Sequence, residues 1–167
     1  MSDFQEFILK ANKHLKIADH LIYVTYPLLK DYKIMPVVLE NIYLALSNAL
    51  SALLAYEFTF KRIPNYDENF DSKINIFKEH CMKRYSFDKE ILKILTEVKE
   101  IVLKHKNSPV EFYKNEKFVI CSDDYKITAI SIEDAKKYII KTKVFIQEIN
   151  NIISKNERVF KRSLSRT

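Results

Sequence analysis

The chain of 167 residues carries 28 Lys and Arg against 22 Asp and Glu, a net charge of +6, with 47% hydrophobic and 30% charged residues. This length and balance suit one globular domain with a complete apolar core, and they exclude a largely disordered chain or a small disulfide-held scaffold. There is no glycine, which excludes Walker-type phosphate loops, the dinucleotide fingerprint and the nucleophile elbow, because each needs glycine for positive φ or close backbone approach.

The N-terminus, Met1-Ser2-Asp3-Phe4-Gln5-Glu6, has an acidic leader without an apolar run behind it. That pattern predicts no secretory signal and a cytoplasmic location. Cys81 and Cys121 lie far apart without a Cys-x-x-Cys companion, so both read as small hydrophobes rather than as a disulfide or zinc ligands.

Apolar residues from Phe4 to Leu29 recur at three- and four-residue spacing and predict one amphipathic helix over 3–29. Pro27 bends or shortens its last turn by removing a donor. Pro36 opens a second helix running to about Arg62. Between Glu40 and Glu57 this helix has sixteen residues without a charge. The run is shorter than the ~20 apolar residues a membrane span needs and contains Asn41, Ser47, Asn48 and Ser51, so it predicts a central buried helix and no membrane.

A third helix is expected over 68–85, with Phe70, Ile74, Phe77 and Cys81 inward. A fourth, capped near Ser86 or Asp88, runs to about Lys106. A short helical turn is expected from Pro109 through Phe112. The period then changes: Phe118-Val119-Ile120-Cys121 and Lys126-Ile127-Thr128-Ala129-Ile130 flank Ser122-Asp123-Asp124-Tyr125 and predict a β-hairpin. Ser131, followed by Glu133 and Asp134, caps a last helix that keeps an apolar stripe to near residue 160. The expected fold is mainly α: an up-and-down bundle of about five helices with a small β-hairpin before the long C-terminal helix. Residues 1–160 form one domain and 161–167 a basic tail.

Four histidines, His14, His20, His80 and His105, are the acid-base candidates at neutral pH. His14 and His20 stand about 120° apart on their helix, and no His-Glu-x-x-His spacing exists, so no metal site is expected. His105 suits the C-terminal turn of the fourth helix as a cation on exposed carbonyls. Acids such as Glu97 and Glu100 sit beside lysines on helix faces and read as solvated charge. These readings predict no catalytic residue and no cofactor.

Two features point to binding. Asn41, Ala45, Asn48, Ala52 and Ala55 fall on one face of the second helix as a small and polar stripe. It suits close packing on the first helix, a helix-to-helix homodimer or an amide-lined pocket. From Lys155 to Thr167, five cations (Lys155, Arg158, Lys161, Arg162 and Arg166) stand against Glu157, four of the six net charges. Arginine forks suit phosphate oxygens, so RNA or other nucleic acid is an expected partner, with a solubilising terminus as the alternative.

The segments Ile8-Leu9-Lys10-Ala11-Asn12-Lys13-His14-Leu15-Lys16-Ile17-Ala18 and Leu44-Ala45-Leu46-Ser47-Asn48-Ala49-Leu50-Ser51-Ala52-Leu53-Leu54 resemble the opening helical pair of the HEPN superfamily. The phrase from Ala18 to Pro27 is similar to archaeal helical proteins without an assigned activity. The HEPN likeness covers about the first sixty residues and implies a small helical bundle. Ribonucleolytic members carry an arginine followed four to six residues later by a histidine, and none of Arg62, Arg84, Arg158, Arg162 or Arg166 has one. No catalytic residue carries over, and the hairpin departs from the simplest such bundle. The sequence thus predicts a non-enzymatic binding module associated with nucleic acid through its basic end. The alternatives are a homo-oligomerising or adaptor protein and a divergent ribonuclease.

Overall fold

A computed structural model of the chain describes residues 3–165, with the side chains of all but 159, 160, 163 and 164. Five helices and a three-stranded antiparallel sheet make up the fold. Helix α1 spans Asp3–His20 and continues without a break through a π turn, Leu21–Thr25, into Tyr26–Leu29. The π turn is where Pro27 acts. It has no N–H to return to the preceding turn, and the Tyr26 N–H reaches five residues back to the Leu21 carbonyl.

Helix α2, Met35–Thr59, starts with Pro36 in its first turn and ends in a left-handed Lys61, where Arg62 N–H donates to the Glu57 carbonyl at 2.9 Å. It is the centre of the molecule. Ile42, Ala45, Leu46, Ala49, Leu50, Ala52, Leu53 and Leu54 have no exposed surface. By length and hydropathy it meets the requirement for a membrane span, yet within the chain α1, α4 and α5 pack around it. α1 runs antiparallel to it, with Phe4 edge-on to Tyr56 at one end and His14 bonded to Asn41 further along.

Helix α3 begins as Phe70–Ile76, capped by Asn69, passes through a second π turn, Phe77–Cys81, and closes as Met82–Arg84. Phe77 and Cys81 are buried as expected, while Phe70 and Ile74 are half-buried. Helix α4, Glu90–Asn107, is opened by Asp88, whose carboxylate accepts from the Glu90 N–H at 2.9 Å. Ser86 is not its cap. It takes φ 53 just past α3, the position a glycine normally fills.

Strands β1 (Val110–Lys114), β2 (Lys117–Cys121) and β3 (Ile127–Ser131) form a sheet in that order, antiparallel throughout. The expected hairpin is β2–β3. Where a helical turn is expected from Pro109 through Phe112, Pro109 is a bend and residues 110–112 open β1. Asn115 and Glu116 both take positive φ, 51 and 61°, giving the two-residue primed turn that matches strand twist. The usual sequence sign of that turn, Asn-Gly, is absent from a chain with no glycine. The β2–β3 turn also uses a residue in place of glycine, Tyr125 at φ 61.

Helix α5 spans Ile132–Leu164, 33 residues and roughly 50 Å. Ser131 and Asp134 form a reciprocal capping box, with bonds of 3.1 and 2.9 Å, at its start. It runs antiparallel to α1, with Lys136 over the Tyr23 ring at one end and Gln5 against Glu157 at the other. The helix continues past residue 160, so residues 161–164 extend it.

Candidate interaction surfaces

The histidines are dispersed. His14 Nδ1 lies 2.9 Å from Asn41 Oδ1, and the Asn41 amide donates to the Val37 carbonyl at 2.8 Å. His105, expected to interact with helix carbonyls, lies 2.6 Å from Glu111 of β1 and edge-on to Phe118. His20 is exposed at the end of α1, and His80 is half-buried beside Glu79. Among the described residues no three His, Cys, Asp or Glu side chains are grouped to hold a metal ion.

Of the stripe on α2, Asn41, Ala45 and Ala52 are buried and Asn48 is half-buried. The Asn48 amide donates to the Leu44 carbonyl at 2.7 Å. The Asn41 bond to His14 turns this face toward α1, where small side chains on both helices, Ala11 and Ala18 on α1, permit close approach.

The most concentrated polar cluster was not among the residues the sequence singled out. Glu57, fully buried in the last turn of α2, accepts from Arg84, from Arg62 at 3.3 Å and from the Tyr85 hydroxyl. Burial, then the bond to the Glu57 carboxylate, pushes the Tyr85 phenol up, and burial followed by the Glu57 charge pushes the Cys81 thiol up to about 12. Both arginines outside the basic end of the chain converge on this one carboxylate. With its charge met by two guanidinium groups and a hydroxyl, Glu57 joins the end of α2 to the end of α3. The nearest sequence sign is that it closes the uncharged run.

A groove between the start of α1 and the end of α2 is lined by Phe4, Phe7, Ala55, Phe58 and Tyr66 with Asp3, Glu6 and Glu68 at its rim. Two of those acids are already paired: Glu6 with Lys10 and Glu68 with the buried Lys73, both at 2.6 Å.

The sheet has two unlike faces. Glu111, Tyr113, Phe118, Ile120, Thr128 and Ile130 alternate onto the side that meets α4 and α5, as the contacts of Phe118 with His105 and of Thr128 with Lys104 show. The opposite side carries cross-strand rows Val110–Cys121–Ile127, Phe112–Val119–Ala129 and Lys114–Lys117–Ser131. Val110 is 53% and Ile127 69% exposed.

At the far end of α5, Lys155, Arg158, Lys161 and Arg162 are exposed, while Arg166 lies outside the described residues. Lys155, Arg158 and Arg162 share one helix face by their three- and four-residue spacing. Glu157, the acid among them, turns the other way and accepts from Gln5 at 3.4 Å. Neither a protein-family model nor a curated protein matches the chain.

Proposed function

We propose that the chain is a non-enzymatic helical module that binds nucleic acid, RNA in the first instance, along the cationic face at the end of α5. The observation that carries this reading is the separation of charge on that helix. Lys155, Arg158 and Arg162 lie on one exposed face, and Glu157 lies away from it and accepts from Gln5. Among the described residues none of Lys155, Arg158, Lys161 and Arg162 has an ion-pair partner. Beyond Ile153 the described side chains are exposed or half-buried, and Lys155, Arg158, Lys161 and Arg162 are exposed. A row of cations one turn apart on a rigid helix suits successive phosphates, and such contacts position a backbone without reading its sequence.

The test is binding of a single-stranded RNA by fluorescence anisotropy over a range of salt. Three or four phosphate contacts give a log–log salt slope of roughly −2 to −3 for a single strand. Lys155→Glu, Arg158→Glu and Arg162→Glu together abolish binding while leaving thermal unfolding unchanged. Absence of salt-dependent retention by the wild type, or equal retention by the triple variant, rejects the reading.

A further inference from the structure

We propose that the RNA-contacting surface continues from α5 across the ends of α2 and α3, where Lys61, Arg62, Lys83 and Arg84 add a second cationic patch for the same single-stranded chain; this rests on the reading of α5 given above. Two Lys-Arg pairs 22 residues apart in sequence are brought side by side by the fold. Arg62 and Arg84 both reach the Glu57 carboxylate, and Arg84 also donates to the Arg62 carbonyl at 3.4 Å. A left-handed Lys61 closes α2, a left-handed Ser86 follows the end of α3, and all four cations are exposed. The far stretch of α5 reaches the same end of the bundle. Phe4 against Tyr56, Arg62 over that same ring at 5.9 Å, and Gln5 against Glu157 gather the start of α1, the end of α2 and the last turns of α5 there. Phe145 of α5 packs edge-on to Phe77 of α3. From that level α3 and α5 run the same way, so where α3 reaches Arg84, α5 is about one turn short of Lys155.

The charge of this patch is not cancelled within the chain. Glu57 answers one of the four cations. The two helix ends return about half a negative charge each, so a net of about two positive charges remains. Arg62 and Arg84 are committed to Glu57, which leaves Lys61 and Lys83 as the free contacts. Among the described residues neither lysine has an ion-pair partner. Glu79, four residues before Lys83, lies 4.0 Å from His80. Asp3, Glu6 and Glu68 line the neighbouring groove with Ala55 and Phe58, positions that the 3.6-residue period sets on the far side of α2 from Glu57. Ammonium groups on flexible stems meet phosphates as point charges and carry no sequence preference. Two patches at one end, rather than a single row on α5, call for an RNA chain long enough to reach both, so length governs affinity.

Fluorescence anisotropy of the full-length protein with oligouridylates of about 5 and about 15 nucleotides, titrated over salt, reads the second patch. The short RNA fills the α5 face alone and the long one reaches both. Two further phosphate contacts steepen the log–log salt slope of the long RNA by about 1.4 over that of the short one. Lys61→Gln with Lys83→Gln is expected to remove this increment while leaving short-RNA binding and circular dichroism unchanged. Lys61→Arg with Lys83→Arg is expected to keep it. A long-RNA slope that is the same in the wild type and the glutamine variant overturns this proposal and leaves the α5 reading standing. So does a glutamine variant that weakens short and long RNA alike. Absence of salt-dependent binding by the wild type at either length overturns both, as does long-RNA binding that survives Lys155→Glu, Arg158→Glu and Arg162→Glu together at wild-type strength.

Discussion

Arg84 sets a guanidinium nitrogen against the Glu57 carboxylate, tying the end of α3 to the last turn of α2 across 27 residues of sequence. Arg62 and the Tyr85 hydroxyl complete the shell around a side chain that has no contact with solvent. Removing both cations leaves a buried carboxylate with one hydroxyl, and an uncompensated buried charge costs more than the pair contributes. Both arginine side chains are more than a third exposed, so water screens part of the loss. Arg62→Ala with Arg84→Ala is expected to destabilise by about 2 to 3 kcal/mol, a discounted form of the buried-pair penalty. Glu57→Gln, which keeps the shape and removes the charge, costs less, about 1 kcal/mol. Urea unfolding of the two variants checks the order, and a larger loss for Glu57→Gln contradicts this account.

The same cluster bears on alkaline stability. Burial first, then the Glu57 charge, holds the Cys81 thiol up to about 12, against an ordinary value of 9.0. In the unfolded chain the thiol ionises above about pH 9, while in the folded chain it stays protonated until about 12. The unfolded state therefore releases a proton the folded state keeps, and stability falls as pH rises through that window. Cys81→Ala removes this contribution, so its stability declines less steeply between pH 9 and 12, by up to about 1.4 kcal/mol per pH unit. Chemical denaturation at successive pH values measures the slope, and parallel slopes for wild type and variant refute the assignment.

Among the described residues six take positive φ, none of them glycine: Lys30, Lys61, Ser86, Asn115, Glu116 and Tyr125. For an ordinary L-residue this conformation costs roughly 1 to 2 kcal/mol, offset in part when glycine replaces it by the greater freedom of the unfolded chain. Ser86→Gly and Glu116→Gly are expected to stabilise by about 0.5 to 1 kcal/mol each. Asn115→Gly changes little, because asparagine already tolerates the left-handed region. Thermal melts of the three variants decide it, and a lower Tm for both Ser86→Gly and Glu116→Gly contradicts the argument.

The helices were legible because their apolar residues keep a 3.6-residue period and their caps use recognisable chemistry, as at Pro36, Asp88 and Ser131. Strand β1 was not, because its turn is Asn115-Glu116 and carries no glycine to announce it. The Glu57 cluster was not legible either. Residues 57, 62 and 84–85 meet only when α2 and α3 are folded against each other, and nothing in their spacing encodes that. The small stripe of α2 was legible as a close-packed face, but whether it faced α1 or a second chain was not. The His14–Asn41 bond gives its orientation. The two faces of β2 were in the sequence all along as an unbroken apolar run, read as one hairpin strand with no question of what covers its other side.

Those two faces give the last prediction, since the two cysteines lie on different sides of the problem. Cys81, at the end of the π turn of α3, is fully buried, and its raised ionisation leaves little thiolate near neutral pH. Cys121 is half-buried on the outer face of the sheet, in the row between Val110 and Ile127. A disulfide reagent at neutral pH is expected to titrate one thiol in the dilute native protein and the second only on unfolding. Cys121→Ser abolishes the first and Cys81→Ala leaves it intact. Rapid reaction of Cys81 in the native chain contradicts the placement of that residue.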